Sequence, residues 1–354
     1  MKCCYAAWTQ MNVSSHRPLS VGIVGLAFGK HILGSLRFPP VSNLFKLTAV
    51  SDLRENVAQE VGAEFGVNSY TSIEEMLRRE DIDVVGLFTQ PSGRAKLLRE
   101  IIRAGKDVMT TKPFELEADE AEDILREAQS LGRVIHLNSP SPDLTLDLFQ
   151  IQSWAEEYEL GRLVSARGEC WAPYREKADG SWMDDPMLCP GGAMMRFGIY
   201  LANDIIHLAG TVENVNLIGS RIRTGRPTPD NALMTMSFAS GCLASIYTSF
   251  CVDDGDRYSN GLTLNYEQGT IYRNVGPAES AAKSEYSNLA LIMREGEKRR
   301  IVAEKSFHEY SGIYQWAALH RAITEGESIS DGYIQRVVEG VKVLEAMRGA
   351  AVAA

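Results

Sequence analysis

One short segment constrains this chain more than any other. It is an apolar run closed by a glycine-rich turn, Val21-Gly22-Ile23-Val24-Gly25-Leu26-Ala27-Phe28-Gly29. It reads as a buried strand, a tight turn and the start of a helix. That junction gathers bare backbone N–H groups and the positive end of a helix dipole at one point, and both attract a phosphate. A second apolar run, Leu47-Thr48-Ala49-Val50-Ser51, ends in Asp52. A carboxylate there accepts hydrogen bonds from an adenosine ribose, so turn and acid together point to a dinucleotide.

The first part of the chain alternates strand-like and helix-like stretches. Strands are expected near 20–25, 46–51, 83–88, 106–110 and 133–137. Helices are expected near 28–36, 54–65, 72–79, 93–105 and 117–131, with Gly105 and Gly132 at C-caps. This alternation implies an α/β domain with a doubly wound parallel sheet of the Rossmann type. Ser139-Pro140-Ser141-Pro142 breaks the pattern and divides a domain at 19–140 from one at 141–354. Beyond it, a helix is expected at 143–157, a strand at 163–171, a loop at 174–192 and a helix at 193–209. Strands follow at 213–222, 231–238, 241–250, 261–265 and 269–273, then helices at 309–325 and 331–350. Consecutive strands joined by short turns make an α+β domain with a large, mostly antiparallel open sheet. One face of such a sheet lacks helix cover in a monomer, so a homodimer or homotetramer through that face is expected.

The 354 residues suffice for two packed domains. A net charge of -10 argues against nucleic-acid or anionic-membrane partners. No apolar run reaches the ~18 residues of a membrane span. Six cysteines form no Cys-x-x-Cys pair and join no His cluster. They read as reduced thiols of a cytoplasmic protein with no metal site. Residues 1–18 lack a secretory apolar core and read as an N-terminal extension.

Two segments carry candidate chemistry. In Thr111-Lys112-Pro113 a lysine directly follows the strand at 106–110. Ligands of parallel sheets bind beyond the carboxyl ends of the strands, so Lys112 is either a site residue or a surface lysine. After Gly191-Gly192, the residues Arg196, Tyr200 and Asp204 recur every fourth position on an apolar helix. That stripe lines a cavity or faces solvent. Arg196 either grips a substrate carboxylate or phosphate with its planar fork, or pairs with Asp204 or another local acid. Tyr174, Asp179 and Trp182 in the preceding loop are substrate-contact candidates; Tyr174 and Asp179 read equally as solvated loop residues, and Trp182 as core.

The order and spacing of these pieces resemble the Gfo/Idh/MocA family of NAD(P)-dependent oxidoreductases, over about 19–350. The resemblance rests on Gly25 to Gly29, Asp52, Thr89-Gln90-Pro91-Ser92-Gly93-Arg94, Thr111-Lys112-Pro113, and Pro190-Gly191-Gly192 with Arg196 and Tyr200. It implies cofactor contacts at Gly25, Ala27, Phe28, Gly29, Asp52, Thr89, Arg94, Thr111, Lys112 and Asn138. It implies catalytic roles for Lys112 and Tyr200, with Arg196, Asp204, Tyr174, Asp179 and Trp182 toward the substrate. Four positions depart from the family pattern: Ala27 for a glycine, Arg94 for a histidine, Thr111 for an acid, and Arg196 for the catalytic aspartate.

The implied reaction is hydride transfer between a nicotinamide and a carbinol carbon of a sugar, polyol or sugar acid. Tyr200 would exchange the hydroxyl proton, and nearby Lys112 and Arg196 would lower a phenol pKa that is ordinarily ~10. Asp52 favours NAD by repelling a 2′-phosphate, although Arg54 leaves NADP open. Two other readings share the fold. An NAD-dependent glycosidase would release sugar without net NADH. A non-catalytic NAD(P)-binding sensor would bind cofactor without turnover.

Overall fold

The computed structural model describes residues 17–137, 140, 142–174, 176–255, 258–275, 287–307 and 315–351. All but the last two residues of the expected N-terminal extension, and Asn138, lie outside the described residues.

Six short strands build the first sheet: β1 (Leu19–Val24), β2 (Phe45–Ser51), β3 (Asn68–Tyr70), β4 (Val84–Leu87), β5 (Asp107–Thr110) and β6 (Ile135–Leu137). Every pairing is parallel and the order is β3-β2-β1-β4-β5-β6. The order reverses between β1 and β4, so the loops leaving their carboxyl ends part there and open a crevice. Strand β3 is not expected from the sequence. It is three residues long, lies at the sheet edge and has no buried residue to create an apolar run. Gly105 and Gly132 adopt φ values of 75° and 62°, the left-handed conformation expected after helices.

The second sheet has eight strands: β7 (Leu163–Trp171), β8 (Val212–Ser220), β9 (Asn231–Phe238), β10 (Leu243–Ser249), β11 (Ser259–Tyr266), β12 (Gly269–Arg273), β13 (Ser287–Glu295) and β14 (Lys298–Phe307). Their order is β14-β13-β12-β11-β7-β10-β9-β8, antiparallel except where β7 runs parallel to β10. Strands β13 and β14 are the two large elements missing from the sequence reading. In β14 the alternation is masked by Lys298, Arg299, Arg300, Glu304 and Lys305, charges of the kind that protect an exposed sheet edge.

Helices Leu146–Glu157 and Ile199–Ala209 bring Ile151, Trp154, Leu201 and Ile205 into one core with Ile246, Leu264, Ile271 and Leu291 of this sheet. The opposite face carries exposed Ile218 and Leu233, which are cross-strand neighbours. The two C-terminal helices return to the first sheet. Trp316 and Leu319 of helix Trp316–Thr324 pack with Phe45 and Val50. In the long helix Asp331–Ala351, Ile334, Val337 and Val341 join the core containing Leu98 and Ile124. Val343, Leu344 and Met347 of the same helix enter the core of the second sheet. A single rigid rod therefore shares its apolar residues between two cores.

A buried charge cluster fixes the helices over the second sheet. Arg273, at the end of β12, donates to Asp204 at 2.6 Å and to Asp147 at 3.1 Å. Ser287 on β13 also donates to Asp147, at 2.8 Å. Removing one acid from such a cluster leaves the cation undercompensated in a low-dielectric interior. Asp204→Ala is expected to lower unfolding stability by about 3 kcal/mol, the low end for a broken buried pair because Asp147 remains. Denaturant unfolding reads this loss, and nucleotide affinity should be unchanged.

Candidate active site

The site begins at the glycine turn. Gly25 has φ 85°, and a Cβ at that position would lie 2.8 Å from the Phe88 carbonyl oxygen. The ends of β1 and β4 approach this closely only because no side chain intervenes. Gly29 does not line the crevice. A Cβ there would meet Ile23 at 3.0 Å, so this glycine sets how closely helix Leu26–Leu33 packs on β1.

Asp52 closes the turn from β2. Its Oδ2 accepts the Leu26 N–H at 2.8 Å, and its Oδ1 accepts the Arg54 N–H and Nε–H at 3.0 and 2.9 Å. Burial raises its pKa, but the hydrogen bonds from Arg54 and Leu26 outweigh burial and hold the carboxyl below its usual value. The acid is therefore charged and pinned, with the Arg54 guanidinium lying against it.

These residues form one end of a cleft of about 1540 Å³. The first domain contributes Gly25, Ala27, Phe28, Asp52, Thr89, Arg94, Thr111 and Lys112 to its wall. The second contributes Tyr174, Trp182, Met183, Arg196, Phe197, Tyr200 and Tyr258. The cleft thus joins most of the residues expected from the sequence. Its size and donors fit a dinucleotide with a small substrate beside it. The N-terminus of helix Leu26–Leu33 opens into it, and the Thr89 hydroxyl is buried at its wall with no protein partner among the described residues.

Arg94 departs from its expected role. Its guanidinium is buried and donates to the carbonyls of Thr89, Thr111 and Pro113. It clamps the loops after β4 and β5 to each other instead of offering its charge to a cofactor. Lys112 sits between two of those clamped carbonyls.

Lys112 joins the two walls of the cleft. Its Nζ donates to the carbonyls of Met195 at 3.4 Å and Arg196 at 3.2 Å, and lies 5.7 Å from the centroid of the Tyr200 ring. Those carbonyls belong to a π-helical turn, Met194–Gly198, that opens the helix carrying Tyr200. The glycines before it are required. Gly192 has φ 45°, and a Cβ there would overlap the Pro229 carbonyl. Burial lowers the Lys112 pKa to about 8, and the positive charge of Arg196 acts in the same direction.

Two substrate candidates lie elsewhere. Asp204 is engaged by Arg273 under the helix and is not in the cleft wall. Each fourth-residue step turns a helix by about 40° past a full turn, so the third member of the stripe has rotated into the core. Asp179 also lies off the cleft. It accepts the Ser181 N–H at 3.1 Å and pairs with Arg226 at 3.4 Å, which organises the loop.

Arg196 does line the cleft, and it is already paired. Its guanidinium takes both oxygens of Glu176, one of them at 3.0 Å. The charge–charge hydrogen bonds from Arg196 outweigh burial and hold the Glu176 carboxyl below its usual pKa. Arg226, buried and bonded to Asp184, stands 3.6 Å from the same Glu176. Sequence reasoning missed Glu176, Arg226, Met183 and Tyr258. Glu176 and Met183 lie in the loop of Tyr174 and Trp182, which has no periodicity, while Arg226 and Tyr258 come from distant segments, so no local pattern marks them.

Comparison with known proteins agrees with this architecture. Residues 19–139 match the NAD-binding Rossmann-fold model of the GFO_IDH_MocA oxidoreductase family, and residues 149–272 match the GFO/IDH/MocA C-terminal domain. The chain is 23% identical over 290 residues to the uncharacterized oxidoreductase YhhX of Escherichia coli, covering 78% of this chain and 80% of that protein. It is 24% identical over 249 residues to trans-1,2-dihydrobenzene-1,2-diol dehydrogenase of Oryctolagus cuniculus, covering 69% and 71%. With an uncharacterized oxidoreductase of Schizosaccharomyces pombe, 24% identical, the match spans 56% of this chain and only 54% of the relative. Among solved structures, levoglucosan dehydrogenase in complex with NADH and levoglucosan superposes with a TM-score of 0.71 at 18% identity, over 95% of this chain and 98% of that one. A 3-ketoreductase from Actinomadura kijaniata in complex with NADP gives 0.71 at 17% identity, over 94% and 98%. The two matched domains cover more than half of the sequence, and the chain belongs to the Gfo/Idh/MocA family of oxidoreductases, with a nicotinamide-binding Rossmann domain.

Proposed function

We propose that this protein transfers a hydride between NAD and a carbinol carbon of a small ring or polyol. The observation that carries the reading is the meeting of Lys112 and Tyr200, 5.7 Å from ammonium to ring centroid, in the cleft that opens from the glycine turn. Levoglucosan and a dihydrodiol, named for two of the relatives, are ring alcohols of this kind.

When bound, the nicotinamide supplies or accepts the hydride. The chain's own residues manage position and proton. The protonated Lys112 hydrogen-bonds the substrate oxygen and stabilises alkoxide charge developing there. The Tyr200 phenol, on the facing wall beside Lys112, exchanges the hydroxyl proton. Arg94 keeps Lys112 in place by holding the carbonyls on either side of it. Asp52, ionised and fixed, would receive the adenosine ribose, which favours NAD; Arg54 against it moderates the repulsion of a 2′-phosphate. The exposed face of the second sheet supports assembly as a homodimer or homotetramer, and light scattering in solution would show a single species of that mass.

A sensor that binds NAD without turnover is the second reading. It is favoured by Arg196, which stands at the family's aspartate position and spends its fork on Glu176.

Two measurements test the enzyme reading. Turnover in either direction should fall as pH rises through about 8, where Lys112 loses the proton that stabilises the developing alkoxide. Lys112→Met should lower kcat by about 10²–10⁴ and remove that break in the profile. Bound cofactor with no turnover over a broad panel of ring alcohols would favour the sensor. Separately, NADH should bind at least tenfold more tightly than NADPH, and Asp52→Ser should narrow that ratio, as read by fluorescence titration.

A further inference from the structure

The wall that the second domain gives to the cleft has an unusual chemistry. Tyr174, Trp182, Phe197, Tyr200 and Tyr258 supply aromatic surface, and Arg196 supplies a cation. The rings support one another. Tyr174 stacks on Phe250 at 5.4 Å, and Phe197 meets Tyr174, Phe250 and Tyr258 edge-on at 5.1 to 5.4 Å. Arg196 lies 4.9 Å from the centroid of the Tyr174 ring. Apart from the Glu176 carboxylate held by Arg196, the side-chain acceptors of this wall are the phenols of Tyr174, Tyr200 and Tyr258. Three phenols satisfy few hydroxyls, and each buried hydroxyl left unbonded costs about 1–3 kcal/mol, so a ring crowded with hydroxyls fits poorly. An aromatic wall with one guanidinium suits a flat, hydroxyl-poor ring bearing an anion.

The Arg196 fork is held by Glu176, yet the arrangement allows exchange. Glu176 comes from a loop and its side chain is 38% exposed, whereas Arg196 is 18% exposed. Arg226, 5% exposed, already lies 3.6 Å from Glu176 Oε2. If Glu176 swings from Arg196, it remains beside a cation. A carboxylate arriving from the cleft then replaces one charge-assisted pair with another, and no buried charge is left alone.

We propose that the substrate is a hydroxyl-poor ring carboxylate, that its carboxylate takes the Arg196 fork while its ring lies on the aromatic wall, and that Glu176 is the internal carboxylate it displaces. This rests on the reading of the cleft as a nicotinamide oxidoreductase site. It makes Glu176 a specificity-determining residue that competes with weakly held anions and yields to one whose ring also fits the wall.

The test uses the whole protein, first titrated with NAD and then with benzoate, benzyl alcohol or glucuronate, read by calorimetry. Benzoate should bind at least fivefold more tightly than either glucuronate, which has the charge without the flat ring, or benzyl alcohol, which has the ring without the charge. Arg196→Gln should weaken benzoate at least tenfold and leave benzyl alcohol unchanged. Glu176→Gln should tighten benzoate severalfold. Equal benzoate affinity in the wild type and the Arg196→Gln protein, or preference for glucuronate, would overturn the proposal while NAD binding leaves the oxidoreductase reading standing. Failure to bind NAD would sink that reading instead, and the benzoate series on the nucleotide-free protein would still decide the role of Arg196.

Discussion

The site depends on one ammonium crossing between two domains. Lys112 leaves the carboxyl end of β5 and donates to two carbonyls of the π-helical turn, Met195 and Arg196. A regular α-helix would use those carbonyls internally; the wider turn leaves them able to accept a side chain. The contact places the lysine beside Tyr200, and burial there lowers its pKa to about 8, with the Arg196 charge acting the same way. Arg94 fixes the lysine from behind, and the long C-terminal helix, embedded in both cores, fixes the domains that carry the two partners.

Charges at both ends of the cleft are already matched within the protein. Asp52 is gripped by Arg54, and Arg196 by Glu176. This pairing stabilises the cleft, since isolated charges at its wall would be costly. A ligand that used either charge would have to offer better geometry than the existing partner. The Asp52 end offers a buried acid with fixed geometry. The other end offers a more exposed acid on a loop, which is the easier of the two to displace.

The stripe Arg196, Tyr200, Asp204 shows where sequence periodicity reaches its limit. Spacing by four placed all three on one face, and two of them do line the cleft. The third belongs to the Arg273 cluster, because helical drift and a buried cation from β12 capture it. Spacing says which residues are near one another on a helix; it does not say where the cavity ends. Strand β14 teaches the same lesson in the other direction. Its exposed charges erase the alternation that would have identified it, although nine of its ten residues, Lys298–Phe307, pair with β13.

Local chemistry along the chain was sufficient for the strand–turn–helix at Gly25, the acid at Asp52, the lysine after β5 and the parallel sheet that aligns them. Each rests on contacts between near neighbours or on the period of a single element. Tertiary structure alone decided the fates of the charged side chains. Arg94 became a clamp, Asp204 a core ion, and Glu176 the partner of Arg196. The reason is that a charge is satisfied by whichever opposite group or carbonyl lies within about 3–4 Å in space, whatever its distance along the chain.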